Sequence, residues 1–158
     1  MDSALVGVVL GGLIGVSAQV IAARFARQQR WAETRREVYS HYLEQISIGR
    51  RRLEEEVERR ISGESDSNEG RHERRRIREE AIAGWNRVRL VARSQSLERS
   101  ARELQVRIAT LNEMLEGERA LNTAELEQVI STYEENRRTF VEAAQREIGL
   151  IVMRRRRR

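Results

Sequence analysis

The chain has 158 residues, the size of one ordinary domain. It contains 30 arginines, no lysine and 25 acidic residues, and it has neither proline nor cysteine. The lack of cysteine excludes disulfides, thiolate metal sites and a cysteine nucleophile. A charged fraction of 35% without proline is typical of long helices and argues against a sandwich, a barrel or a proline-rich disordered chain. The composition therefore predicts an all-α fold.

The net charge of +5 is concentrated at the end of the chain, because the last five residues are all arginine. Residues 1–153 are neutral as a whole. The body of the protein therefore offers no overall positive field, which argues against nucleic-acid binding.

The N-terminal segment, residues 4–23, contains twenty residues without a charge. A helix of that length matches the ~30 Å hydrocarbon core of a bilayer. The segment predicts a transmembrane anchor over residues 1–26. The alternatives are a buried helix of a soluble protein, which seldom runs so far without a charge, and a cleaved signal peptide, which would begin with basic residues.

Positive charge follows this segment and only one acid precedes it. The positive-inside rule therefore predicts a single-pass protein of the cell inner (plasma) membrane, with its N-terminus outside and its C-terminus cytoplasmic. Tryptophan side chains often lie at the level of the headgroups. We expect contact with the membrane surface at Arg24, Arg27, Arg30 and Trp31.

Small residues recur every four positions within the uncharged segment, at Gly7, Gly11 and Gly15. This pattern lets two membrane helices approach closely, so it predicts self-association and a homo-oligomer. The alternative is that glycine is simply common in membrane helices.

Residues 27–153 predict a cytoplasmic antiparallel bundle of about four helices, arranged up-down-up-down. The expected breaks are a linker at residues 62–70, which contains no apolar residue, and turns near residues 94–96 and 117–122. Asn122 predicts the start of the last helix, because Glu125 follows it by three residues. Two alternatives are a continuous helix with a stutter at 94–96 and apolar seams that close between chains as a coiled coil.

Apolar residues follow the helical period in each predicted helix. The first stripe runs from Trp31 to Ile61, and the last includes one misfit, Arg137. The third helix has an unbroken heptad seam at Leu97, Ala101, Leu104, Ile108, Leu111 and Leu115.

Charged runs in the first two bundle helices predict solvated faces. Residues 50–52 are arginines that precede the glutamates of residues 54–56 at a spacing of four, as in exposed ion pairs along a helix. A second run opens the next helix, and we interpret it as a solvated face rather than a binding patch. Its members are Arg71, Arg74, Arg75, Arg76 and Arg78.

Catalytic and metal-binding patterns are not found in the sequence. The two histidines, His41 and His72, lie in different helices without a metal-ligand spacing. Glycine-rich phosphate loops, nucleophile elbows and aspartate-rich metal loops are also missing. We expect no enzyme activity, no cofactor and no metal.

The C-terminus joins an apolar segment, residues 148–153, to a polybasic tail at residues 154–158. Since an even number of helices returns the chain to the membrane, we expect the tail to contact anionic lipid headgroups. A solvated tail is the alternative. The tail residues are Arg154, Arg155, Arg156, Arg157 and Arg158.

Three segments, at residues 35–46, 85–105 and 135–150, read RREVYSHYLEQI, WNRVRLVARSQSLERSARELQ and ENRRTFVEAAQREIGL. Together they resemble a group of bacterial single-pass membrane proteins, frequent in high-GC actinobacteria, with a small cytoplasmic helical domain. The resemblance implies a turn near residues 94–96 and brings no activity or catalytic residue. The plan is also similar to that of subunit b of bacterial ATP synthase, except that the linker and capped turns would interrupt a continuous stalk.

These observations predict a membrane-tethered helical scaffold or protein-interaction module without catalytic activity. Its partner would be a cytoplasmic protein that the sequence does not name. Two other functions are kept as alternatives: a phage lysis protein of holin type and an arginine-rich nucleic-acid-binding protein.

Overall fold

The computed structural model describes residues 3–117 and 122–149, with their side chains from residue 22 onward. Within these residues it contains four helices and no strand: α1 (Ser3–Ile61), α2 (Asn68–Val91), α3 (Gln95–Glu116) and α4 (Thr123–Glu147). The predicted all-α class and the number of helices are confirmed.

The chain divides into two compact units, Met1–Thr34 and Arg35–Arg158. The described side chains of the first unit are largely exposed: Phe25 is 62% and Trp31 46% exposed. Among the residues with described side chains, no helix has a stretch apolar and long enough to cross a bilayer. Most of the predicted anchor, residues 1–21, lies outside those residues.

The second unit begins with the C-terminal part of α1. A short linker separates α1 from α2, whose first residue is Asn68. The predicted linker, residues 62–70, ends too late, because the Ser67 side chain caps α2 by accepting a hydrogen bond from the Gly70 amide at 3.0 Å. The predicted linker included Gly70, because glycine is typical of loops, but Gly70 lies in the first turn of α2.

The predicted turn near residues 94–96 shares only Ser94 with the break between α2 and α3, and the turn near residues 117–122 falls at the break between α3 and α4, where residues 118–121 lie outside the described residues. Residues 92–94 separate α2 from α3, and Ser94 caps α3 by accepting from the Leu97 amide at 3.3 Å. The helix therefore does not continue through this point with a stutter. Asn122 caps α4 by accepting from the Ala124 amide at 2.9 Å, as predicted.

Contacts between helices show an antiparallel arrangement within one chain. Towards its C-terminus, α1 pairs Arg52 with Glu73 near the start of α2. It also contacts α4 in antiparallel order, since Tyr39 bonds Glu147 and Ser47 lies 3.3 Å from the Tyr133 hydroxyl. The apolar seams thus close within the chain, in the predicted up-down-up-down order.

The core follows the predicted stripes with local differences. The whole seam of α3 is buried, from Leu97 to Leu115. In α4, Arg137 is exposed, and Val129 joins the buried residues because the apolar face of the helix is broader than one residue. Trp31 and Ile61, the ends of the first predicted stripe, are exposed.

Three aromatic side chains form the centre of the core near the point where α1 enters the bundle. The Phe140 ring lies 6.0 Å from the Tyr39 ring, edge to face, and 5.5 Å from the Tyr42 ring. The Tyr42 hydroxyl donates to the Ala101 carbonyl at 2.6 Å. These contacts connect α1, α3 and α4.

Close packing of α1 against α2 depends on Gly84. A Cβ atom there would lie 2.7 Å from Cδ2 of Tyr42. This ring is 1% exposed and its hydroxyl is hydrogen-bonded, so it has little freedom to move.

We expect Gly84→Ala to lower the free energy of unfolding by about 1–3 kcal/mol, although alanine favours a helix by about 1 kcal/mol.

The measurement is urea unfolding, with the exposed Asn86→Ala in the same helix as control. The control should retain or slightly raise stability. An increase in stability for Gly84→Ala would contradict the close contact between Gly84 and the fixed Tyr42 ring.

Candidate functional site

The end of the bundle at which α1 enters carries a buried polar cluster. It combines Arg35 and Tyr39 of α1, Arg93 and Ser94 of the turn between α2 and α3, and Glu147 at the end of α4. We call this group the entry-end cluster. It brings together segments that are up to 112 residues apart in the chain, as the numbering shows.

The carboxylate of Glu147 is the centre of the cluster, and its side chain is 6% exposed. Its Oε1 accepts from the Tyr39 hydroxyl at 2.8 Å and from the Arg93 amide at 2.7 Å. Its Oε2 accepts from the amide and the hydroxyl of Ser94, at 3.2 and 3.1 Å. Both oxygens are therefore satisfied by neighbouring segments.

The position of Glu147 is explained by the two helix ends that meet there. A carboxylate at the last residue of α4 is disfavoured by the dipole of its own helix. The same group lies at the N-terminus of α3, where amides lack partners and the dipole favours a negative charge. The Ser94 hydroxyl connects Glu147 to the start of α3, because it donates to the Glu147 carboxylate and accepts from the Leu97 amide.

Arg35 and Tyr39 complete the cluster from the side of α1. Arg35 is 7% exposed; its Nε donates to the Val91 carbonyl at 2.9 Å and lies 3.6 Å from Oε1 of Glu147. It therefore satisfies a carbonyl at the end of α2 and neutralises the carboxylate. Burial, together with the hydrogen bond to Glu147, raises the pKa of the Tyr39 hydroxyl well above its usual value.

Exposed arginines surround the entry-end cluster. Arg36 follows Arg35, and Arg93 precedes Ser94; both side chains are exposed. Arg146 precedes Glu147, and its side chain is 65% exposed. The buried part of this end is thus neutral, whereas its surface presents guanidinium groups, which are suited to recognising phosphate and other oxyanions.

A second buried ion cluster lies at the opposite end of the bundle, which we call the distal end. Arg74 of α2 is 2% exposed. It makes a bidentate pair with Asp66 of the linker, both N–O distances being 3.0 Å, and a further hydrogen bond with Glu56 of α1. Gly70 permits this approach, since a Cβ there would lie 2.8 Å from Oε1 of Glu56.

This cluster corrects two sequence interpretations. Arg74 is buried and does not belong to a solvated face; the exposed members of its run include Arg75 and Arg78. Glu56 is 9% exposed and pairs with α2 instead of Arg52, although Arg50 and Glu54 form the expected pair at 2.6 Å. The physical reason is that α2 crosses α1 here and supplies nearer partners.

The carboxylate of Asp66, in the linker, belongs to the same cluster, which lowers its pKa. The hydrogen bonds from Arg74 hold its pKa below the usual range, and the charges of Arg74, Arg71 and Arg60 act in the same direction. Asp66 lies 3.3 Å from Arg71 and 3.7 Å from Arg60. It therefore compensates the positive charge that opens α2.

Both histidines are exposed and lie in separate surface clefts. His41 shares a cleft between α1 and α2 with Glu37, Gln45 and Arg87. His72 lies in another cleft, at the distal end, between α1 and the start of α2. Within the part of the chain that the structure describes, no cluster of His, Asp or Glu side chains could hold a metal ion.

The residues predicted to contact the membrane are only partly described. Arg24, Arg27 and Arg30 are exposed on α1, as is Trp31. Gly7, Gly11 and Gly15 belong to α1, but their surroundings lie outside the described residues, and so do residues 150–158 with the polybasic tail.

Comparison of the chain with protein-family models, with curated proteins and with solved structures finds no match.

Glu147→Gln should lower the free energy of unfolding by about 2–4 kcal/mol, because it removes the negative charge of the buried Arg35–Glu147 pair. The matched control is Glu142→Gln in the same helix, where the carboxylate is 53% exposed and pairs with Arg146. An exposed pair contributes at most about 0.5 kcal/mol at this spacing. Equal effects of the two substitutions in urea unfolding would refute the central role of Glu147.

Proposed function

We propose that the protein is a membrane-tethered helical scaffold, without catalytic activity of its own, that presents a four-helix bundle to a protein partner. The observation that supports this most is the continuity of α1, Ser3–Ile61. One helix contains both the uncharged residues 4–23 and the first apolar face of the bundle, from Tyr39 to Val57.

The closed core of the bundle supports a role in presenting its outer surface to a protein partner. Each helix of the bundle buries its apolar face against the others, and ion clusters join the segments at both ends. The outer faces therefore remain for contact with a partner. They carry charges of both signs, as in the exposed pairs Arg76–Glu80 and Arg146–Glu142, and so favour a partner with a polar, charged surface.

The tether follows from the sequence of the N-terminal segment. Its length fits the hydrocarbon core, and the arginines after it, Arg24, Arg27 and Arg30, favour a bundle on the cytoplasmic side of the inner membrane. Gly7, Gly11 and Gly15 would form the contact between two such helices, which makes the proposed scaffold a homo-oligomer.

The tether is tested by extracting membranes of cells that express the full chain with alkaline carbonate. We expect the protein to remain in the membrane pellet. The double substitution Leu10→Arg with Ile14→Arg should release it, because each central arginine costs ~2.5–3.5 kcal/mol of insertion free energy.

The matched control places the same charges in the linker, as Ser62→Arg with Ser65→Arg, where both residues are exposed. This variant should stay in the pellet. A reporter fused after residue 158 should be active only if it works in the cytoplasm. Release of the unmodified chain by carbonate, or activity of a periplasmic reporter, would contradict the proposed tether or its orientation.

A further inference from the structure

Helix α2 carries a stripe of large side chains that point away from the bundle core. Leu90 is 83% exposed and Ile82 is 38% exposed, although both are apolar. Between them along the helix, Trp85 is half-buried and packs against the core from the edge of the stripe. Spacings of three, four, seven and eight residues place side chains on one side of a helix. We call this surface the α2 outer face; its members are Ile82, Trp85, Asn86, Arg89 and Leu90.

A stacked arginine and tryptophan lie at the centre of the α2 outer face. The guanidinium carbon of Arg89 is 5.9 Å from the centroid of the Trp85 ring, which is within the range of a cation–π contact. Arg89 also pairs with Glu98 at the start of α3, at 3.7 Å. Tryptophan and arginine are enriched in protein interfaces and among the residues that contribute most to binding. The composition of the face therefore indicates a protein-binding surface.

Arginines without acidic partners border this face. Because α3 runs antiparallel to α2, Arg102 lies beside Trp85, each one turn from the pair of Arg89 and Glu98. Arg78 precedes Ile82 by one turn in α2. The side chains of Arg78 and Arg102 are exposed, and neither makes an ion pair with another residue of the described part of the chain. Positive charge is thus available on both helices for a bound partner.

Acidic groups compensate this charge only in part. Residues 76–90 and 98–107 together contain seven arginines and four glutamates. Three of the four glutamates are already paired: Glu98 with Arg89, Glu80 with Arg76 at 3.7 Å and Glu103 with Arg107 at 3.9 Å. The fourth, Glu79, is exposed three residues before Ile82. The surroundings of the α2 outer face are therefore positive on balance.

We propose that the α2 outer face is the docking surface for the protein partner, and that the partner binds it with an acidic amphipathic helix. The proposal rests on the proposed function, which requires a protein partner, and it adds the place and the chemistry of the contact. The apolar side of such a helix covers Ile82 and Leu90, which lie eight residues or ~12 Å apart along α2. Its carboxylates pair with Arg78 and Arg102, because guanidinium groups bind carboxylates in a bidentate manner.

Charge and burial favour this occupant over three others. The polybasic end of the chain itself, residues 154–158, would be repelled by the arginines. A second copy of the same face would bring like charges together. Single-stranded nucleic acid requires aromatic rings that are free to stack on bases, whereas the Trp85 ring packs against the core and carries Arg89 over it. An acidic amphipathic helix matches both the charge and the exposed apolar side chains.

The binding test uses the full chain in nanodiscs of phosphatidylcholine and a fluorescent helical peptide as the probe. The peptide carries leucines along one side and glutamates on both flanks of that side. Lysines replace the glutamates in a second peptide, and serines replace the leucines in a third. Fluorescence anisotropy measures binding, with empty nanodiscs as the blank. We expect the first peptide to bind most tightly and added salt to weaken its binding.

Substitutions on the face test whether the peptide binds there. Leu90→Gln should weaken binding of the acidic peptide about tenfold, because the leucine can no longer be buried beneath it. Arg78→Gln with Arg102→Gln should weaken binding about threefold per arginine, since each loses an exposed ion pair. All three side chains are exposed, so the fold should be retained, and urea unfolding of each variant checks this.

Matched controls remove the same side chains from other faces of the bundle. Ile48→Gln removes an apolar residue that is 47% exposed on α1, and Arg137→Gln with Arg138→Gln removes two exposed arginines of α4. Both controls should leave binding unchanged. Equal binding of the acidic peptide to Leu90→Gln and to the unmodified chain, or tighter binding of the lysine peptide, would overturn the proposal. Tighter binding of a single-stranded oligonucleotide would assign the face to nucleic acid instead.

Photo-crosslinking in cells separates this proposal from the proposed function. A benzophenone side chain replaces Leu90, and in control variants it replaces Ile48 or Arg138, which lie on other helices. Protein adducts at Leu90 whose crosslinked segment is acidic and amphipathic would support the docking surface. Protein adducts at Ile48 or Arg138 alone, or lipid adducts alone at Leu90, would refute the docking surface and leave the scaffold standing. No protein adduct at any of the three positions would refute both.

Discussion

The buried carboxylate of Glu147 is the interaction on which the arrangement of the bundle depends. It bonds to α1 through Tyr39 and Arg35, and to the start of α3 through Ser94. Helix α4 therefore ends where α1 enters and where α2 turns into α3. The exposed Arg36, Arg93 and Arg146 adjoin the residues that this group holds in place.

The two ion clusters and the apolar core have different physical roles. Burial of apolar side chains, such as the α3 seam, drives association of the helices but constrains their axial register only loosely. A buried ion pair adds little net stability compared with apolar residues, yet removing one partner is costly. The Glu147 cluster and the Arg74 cluster thus penalise any other register, because a shifted helix would leave a buried charge unpaired.

Local signals made much of the fold predictable from the sequence. The heptad seam of α3 and the cap at Asn122 depend on residues close together in the chain, and the structure places them as expected. The sequence predicted a turn near Ser94 but not the cap that Ser94 forms for α3. The clusters could not be predicted, because their partners are far apart and each alone is typical of a solvated residue. Glu147 lies at a helix C-terminus, where the helix dipole disfavours an acidic residue. This unfavourable position was the signal in the sequence that Glu147 has a partner in another segment.

Hydrogen exchange at the amides of Arg93 and Ser94 tests the central role of Glu147 most directly, because both amides donate to its carboxylate. Turn and first-turn amides normally exchange fast, since they lack helical acceptors. If Glu147 ties the three segments together, these two amides exchange only when the bundle unfolds, at rates like those of the buried α3 seam. Rapid exchange at both amides, while the α3 seam stays protected, would contradict the account.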